Sequence, residues 1–224
     1  MTHKRDTRKT VWLVVLITLI FSIGYIVARL LTAGAEHQKY SDYILMLVQC
    51  SLGLIVLFLP DALQKRFSFA IPNFLAILYY IFLYCAIYLG EVHSFYYRIP
   101  FWDDILHGFS ACMLATFGFL LVDLLNKNEK VRVNLSPVFV SLFAFCFALS
   151  IGTLWEMYEF LGDEILGLNM QKFRLENGAE LIGHAALRDT MKDLIIDGIG
   201  ALLIATLGFL SNVKGKRSAV EKQN

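Results

Sequence analysis

The residues of this chain best suited to chemistry are acids set at helical spacing in three otherwise apolar segments. The first is Phe101-Trp102-Asp103-Asp104-Ile105-Leu106-His107, where Asp103 and Asp104 precede a histidine by four and three residues and share its face on a helix. The second is Trp155-Glu156-Met157-Tyr158-Glu159-Phe160 with Asp163 beyond it, an i, i+3, i+7 stripe. The third is Asp189-Thr190-Met191-Lys192-Asp193-Leu194-Ile195-Ile196-Asp197, with acids four apart. Acids so placed can ligate a divalent cation, carry protons, or pair with Arg98, Arg188, Lys192 or His107. An oxygen-rich set with one imidazole suits Mg²⁺, Mn²⁺ or Fe²⁺ better than a thiolate-rich zinc or copper site. The candidate ligands are Asp104, His107, Glu156, Glu159, Asp193 and Asp197. Glu156 and Asp193 are also candidate catalytic bases, and Arg98 is the candidate group for an anionic substrate. Asp103, Asp163 and Asp189 read first as interfacial caps or solvated acids, and Trp102, Trp155, Tyr96, Tyr97 and Tyr158 as an interfacial aromatic belt. His93 and His184 have no partner at diagnostic spacing and read as surface residues. A serine nucleophile with its base, a P-loop and a dinucleotide fingerprint are all missing from the sequence.

The elements that must carry these residues are membrane spans. The 224 residues are 57% hydrophobic, above the roughly 45–50% of soluble domains. Twenty basic against nineteen acidic residues argue against a nucleic-acid-binding face and leave membrane lipids as the indicated partner. Cys50, Cys85, Cys112 and Cys146 lie in apolar runs without metal-ligand spacing and read as small buried hydrophobes. Six stretches approach the roughly 20 apolar residues a span requires: 11–31, 43–59, 67–90, 104–125, 137–160 and 190–210. Pro60 is expected to end the second, and Pro72 sits near the start of the third. The first run is longer than a signal-peptide core, so it is expected to remain as a span despite Ala33-Gly34-Ala35 after it. The stretch 161–189 mixes apolar and charged residues and reads either as a solvated loop or as an interfacial helix. No internal repeat supports an inverted-repeat transporter.

Lys and Arg set the expected orientation. Thirteen of the twenty fall on one side, among them Lys4, Arg5, Arg8, Lys9, Lys65, Arg66, Lys130, Arg132 and Lys222. That side is cytoplasmic, so both termini are expected inside and 161–189 outside. The fourth and sixth spans then start, and the fifth ends, at the same outer face, which brings the three acidic segments together. Asp197 lies roughly 12 Å deeper than Asp189, and Glu156 roughly 10 Å deeper than Asp163, so the stripes overlap in depth. Gly152, Gly198 and Gly200 are expected to permit close helix approach.

The segments Tyr97–His107, Gly152–Phe160 and Asp189–Leu194 resemble the signature motifs of the YjdF-like bacterial inner-membrane proteins, a likeness extending roughly over 91–210. The resemblance implies an integral protein of the bacterial cytoplasmic membrane and highlights the same acids, but supplies no reaction. The reading is therefore an all-α, polytopic membrane protein, a bundle of six transmembrane helices in one domain over 1–224. Its carboxylate–histidine cluster opens outward. Three functions fit: a divalent-metal-dependent enzyme on a phosphorylated or lipid-linked substrate, an ion- or proton-coupled transporter, or a non-catalytic component with a structural ion-pair network.

Overall fold

The computed structural model describes residues 6–32, 37–67, 69–127, 135–175 and 178–221. Lys4, Arg5, Lys130, Arg132, Lys222 and Ala33-Gly34-Ala35, which entered the expectations above, lie outside them. Among the described residues every long element is a helix, and the one β feature is an isolated bridge between Arg174 and Glu180. Six helices are long and apolar enough to cross a membrane: Thr7–Thr32, Asp42–Phe67, Asn73–Val92, Trp102–Asn126, Pro137–Leu166 and Arg188–Lys214. Their outward faces are apolar, with Phe21, Leu31, Ile55, Leu154, Ile195 and Ile199 among the exposed residues. Such a surface is costly in water and natural in hydrocarbon, where helices also satisfy their own backbone.

The chain divides into two compact units, 1–106 and 107–224. The first holds α1 (Thr7–Thr32), α2 (His37–Val56), α3 (Leu59–Phe67), α4 (Asn73–Leu83) with a π-helical continuation (Tyr84–Val92), and α5 (Phe95–Arg98). Both prolines act at helix starts. Pro60 falls in the first turn of α3, where a missing N–H costs nothing, so the helix resumes through it rather than ending there. Pro72 is the N-cap of α4, so this span starts at Asn73, six residues after the apolar run begins.

The second unit holds α6 (Trp102–Lys127), whose first turn precedes the division, α7 (Pro137–Leu166), a 3₁₀ turn (Gly183–Ala185) and α8 (Arg188–Glu221). Ser136 caps α7 by accepting from the Phe139 amide, and Pro137 occupies its first position. α7 runs past Phe160 to Leu166 because no breaker intervenes before Gly167, which closes it in the left-handed conformation at φ 65°. The stretch that follows contains no α-helix among its described residues. Gly167, Gly178 and Gly183 all take positive φ, and of these Gly167 ends α7. The interfacial-helix expectation is thereby corrected to a bridged loop.

Small residues let the three helices of this unit approach closely. Ala115, Ala148 and Ala201, all fully buried, meet in one core cluster with Leu114, Phe145 and Ile204 around it. A Cβ on Gly118 would stand 2.9 Å from Ala144 Cα, and one on Gly200 would stand 3.0 Å from the Gly108 carbonyl. Gly198 meets nothing within 4 Å, so two of the three expected glycines, Gly152 and Gly200, line close approaches. The expected burial of the cysteines holds for Cys50, whereas Cys146 is exposed on an apolar helix face; all four are free thiols.

Candidate metal centre

The buried face of α7 runs Val140, Ala144, Ala148, Gly152, Glu156, in steps of four residues. That of α8 runs Asp193, Asp197, Ala201, Ala205 with the same step. Each helix therefore presents a small-residue seam that ends in acids, and the two pack on each other extensively. Gly152 is where they touch most closely. A Cβ there would stand 2.1 Å from Asp197 Oδ2, so glycine is what allows this carboxylate to lie against α7.

His107 of α6 completes the centre. Asp197 Oδ1 lies 3.3 Å from its Nδ1, and Glu156 Oε1 lies 3.8 Å from its Nε2. The four groups are 7% (His107), 4% (Glu156), 1% (Asp193) and 2% (Asp197) exposed, so three carboxylates and an imidazole share a nearly dry interior. Asp197 Oδ2 is buried and has no hydrogen-bond partner among the described residues. Asp103 stands one turn before His107 on the same helix. Its carboxylate, the His107 ring and the Asp193 carboxylate each offer a ligand atom, and these three atoms lie within 4.8 Å of one another.

The two nitrogens of His107 differ in a way that bears on chemistry. A ring proton on Nδ1 would be donated to Asp197, and a neutral ring in that tautomer would present the Nε2 lone pair on the side of Glu156. A separation of 3.8 Å exceeds a hydrogen bond. It falls inside the roughly 4.2 Å that can separate two ligands each about 2.1 Å from one ion. A carboxylate behind a ligating imidazole is also the usual outer partner of a metal-bound histidine.

Asp104 is half-buried on the first turn of α6, and it is Asp103, four residues before His107, that joins the ligand-spaced group. Glu159 is turned from Glu156 and accepts from Trp155 Nε1 at 2.8 Å. Asp163 is buried and accepts from the Met170 and Gln171 amides at 2.7 and 3.0 Å, which pins the loop to the end of α7. Gln171 reaches on to Thr190 Oγ1, and Lys172 pairs with Asp189 at 3.5 Å, tying the same loop to the start of α8. Asp163 and Asp189 therefore hold the rim. Arg188 and Lys192 are exposed, and Arg98 is exposed at the end of α5 in the first unit. The spacing argument passed over Asp103. The available signal was its four-residue offset from His107, which on a helix is closer to one face than the three-residue offset of Asp104.

A family model described as "Predicted membrane protein (DUF2238)" matches residues 7–214. A Thermotoga maritima protein described as uncharacterized is 32% identical over 120 residues, which cover 53% of this chain and 53% of that protein. The matched stretch thus spans about half the length of that relative. No solved structure matches the chain.

Proposed function

The chain belongs to the DUF2238 family of predicted membrane proteins, the YjdF-like family its motifs resemble, and from that premise we propose that its buried carboxylate–histidine cluster is a divalent-cation site. The observation that carries this reading is His107, with one ring nitrogen held by Asp197 and the other facing Glu156 at ligand–ligand spacing. Asp103, His107 and Asp193, with Glu156 beside them, would hold Mg²⁺, Mn²⁺ or Fe²⁺, and Asp197 would orient the imidazole. A bound cation would supply Lewis acidity toward a phosphoryl oxygen or a water. Glu156 or Asp193 then accepts a proton, while the seam of small residues excludes water around them. The substrate in this reading is phosphorylated or lipid-linked, and Arg98 binds an anionic headgroup.

The protein is further proposed to lie in the bacterial cytoplasmic membrane as one domain, with both termini inside and the cluster opening outward, from the partition of its basic residues. In a cysteine-free background, an impermeant thiol reagent applied to intact cells should label a cysteine at Ala179 and spare one at Asn126. Labelling at Asn126 alone reverses the orientation. The contact of His107 with carboxylates at both nitrogens also suits a proton-coupled carrier. The hydroxyls of Thr116 and Thr206 bond back to their own helices, and Ser141 Oγ is the buried hydroxyl of this unit that has no hydrogen-bond partner among the described residues.

Melting curves with and without Mn²⁺ or Mg²⁺ test the metal reading. Wild type should gain about 2.7 kcal/mol at a hundredfold excess over Kd, and Glu156→Gln should lose that gain. No gain with any of the three ions, together with strong destabilisation by Arg98→Gln, assigns the acids to an ion-pair network instead.

A further inference from the structure

Between Glu180 and Arg188 the loop that leads into α8 reads Leu181-Ile182-Gly183-His184-Ala185-Ala186-Leu187, with no acid, lysine or arginine in it. Its two most exposed large side chains are apolar: Ile182 is 87% exposed and Leu187 61%. They flank the 3₁₀ turn Gly183–Ala185, where the Ala186 amide bonds to the Gly183 carbonyl and keeps the segment short. Leu187 also stands at the N-cap of α8, since its carbonyl accepts from the Met191 amide at 3.1 Å. That position favours Ser, Thr, Asp or Asn, whose side-chain oxygen accepts from the first turn. Here an outward-facing leucine replaces the capping oxygen. Helix geometry shows what it faces. Leu187, Met191, Ile195 and Ile199 follow in steps of four and all are exposed, so Leu187 continues the apolar outer row of a membrane span past its end. Asp189 and Thr190, which hold the loop through Lys172 and Gln171, lie instead on the side of Asp193 and Asp197. The tethers and the apolar pair thus occupy different sides of the same first turn. The span Arg188–Lys214 is 27 residues long, about 40 Å at the helical rise, which matches a bilayer with its headgroups rather than the roughly 30 Å of hydrocarbon alone. Its first turn therefore lies at headgroup level, where the exposed Arg188 can meet lipid phosphate.

We propose that Ile182 and Leu187 anchor this loop in the membrane interface, seated where headgroups meet acyl chains, with the phospholipid surface as their partner. The surface is continuous with the lipid-facing row of α8, and the anchor is a turn rather than an interfacial helix. It depends neither on the metal reading of the acidic cluster nor on which side of the membrane the loop faces.

The test uses the full chain with its four native cysteines replaced, reconstituted in phospholipid vesicles, and a nitroxide on Ile182→Cys, Leu187→Cys or Ala179→Cys. Electron paramagnetic resonance compares relaxation by oxygen, which concentrates in lipid, with relaxation by a water-soluble nickel chelate. Oxygen should dominate at 182 and 187, and the chelate at the exposed position 179. The same ratio at 182 as at 179 means a solvated loop and overturns the proposal. Little relaxation by either reagent at 182 means protein cover, from a second copy or another partner, and overturns it as well. A melting temperature equal to that of the unlabelled chain verifies each fold. Where a labelled variant melts lower, the unsubstituted chain is photolysed in vesicles carrying a phospholipid with a diazirine near its glycerol. Lipid adducts on residues 182–187 sustain the proposal, and adducts confined to the spans overturn it.

Discussion

The cavity at the start of α1 in the first unit and the cluster of the second each gather four titratable side chains, yet they solve opposite problems. In the cavity two acids, Asp6 and Asp61, face two bases, Arg8 and Lys9. Arg8 and Asp61 pair directly at 18% and 46% side-chain exposure, so water screens the pair and holding it together is cheap. In the cluster three acids and one histidine sit at 1–7% exposure, inside a seam built from alanine and glycine. Burying like charges at that depth costs several kcal/mol each. A mixed set of acids and bases balances itself, whereas a set dominated by buried acids is the kind a cation would neutralise. The balance of charge, with the degree of burial, is what separates the two regions.

That contrast can be broken by substitution. The largest effect is expected for Asp193→Asn, which should lower bound metal to background and erase the roughly 2.7 kcal/mol of metal-dependent stability. Metal retained at the wild-type level would remove Asp193 from the ligand set. Gly152→Ala comes next. Its Cβ would stand 2.1 Å from Asp197 Oδ2, so about 1–3 kcal/mol should be lost as the α7–α8 seam opens, read as a lower melting temperature. An unchanged melting temperature would mean the seam is looser than described. Asp163→Ala removes two backbone hydrogen bonds and should cost about 1–2 kcal/mol, with faster amide exchange at Met170 and Gln171 and no change in metal content. A fall in metal content would extend the site to the rim. The smallest effect belongs to the first unit: Arg8→Gln should change stability by less than about 1 kcal/mol, because its ion pair is solvated. A loss of several kcal/mol would place this pair on the same footing as the buried acids.

The spans themselves were legible, because roughly twenty apolar residues in a row leave a chain few alternatives to crossing a bilayer. Their ends were less so. Hydropathy cannot see that Pro72 starts a helix or that Gly167 stops one, since both effects act through φ and the backbone N–H. The step of four in Asp189, Asp193 and Asp197 places them on one face, but spacing does not say how far down that face burial begins. The i+3 step from Glu156 to Glu159 looks like one stripe in the sequence. The helical offset of about 60° instead sends one side chain into the seam and the other to Trp155. Gly152 and Gly198 are indistinguishable as letters. One lies under a carboxylate and the other faces open space, a difference set by helix packing alone.

The central claim is that a cation sits where Asp103, His107 and Asp193 converge beside Glu156. Anomalous diffraction at the manganese edge, from crystals of the full chain grown with Mn²⁺, tests it most directly. The account predicts one anomalous peak about 2.0–2.3 Å from His107 Nε2 and from at least two of these carboxylates, with Asp197 still at Nδ1. The peak should vanish in Asp193→Asn. A wild-type crystal saturated with Mn²⁺ that shows no peak among these residues would contradict the account.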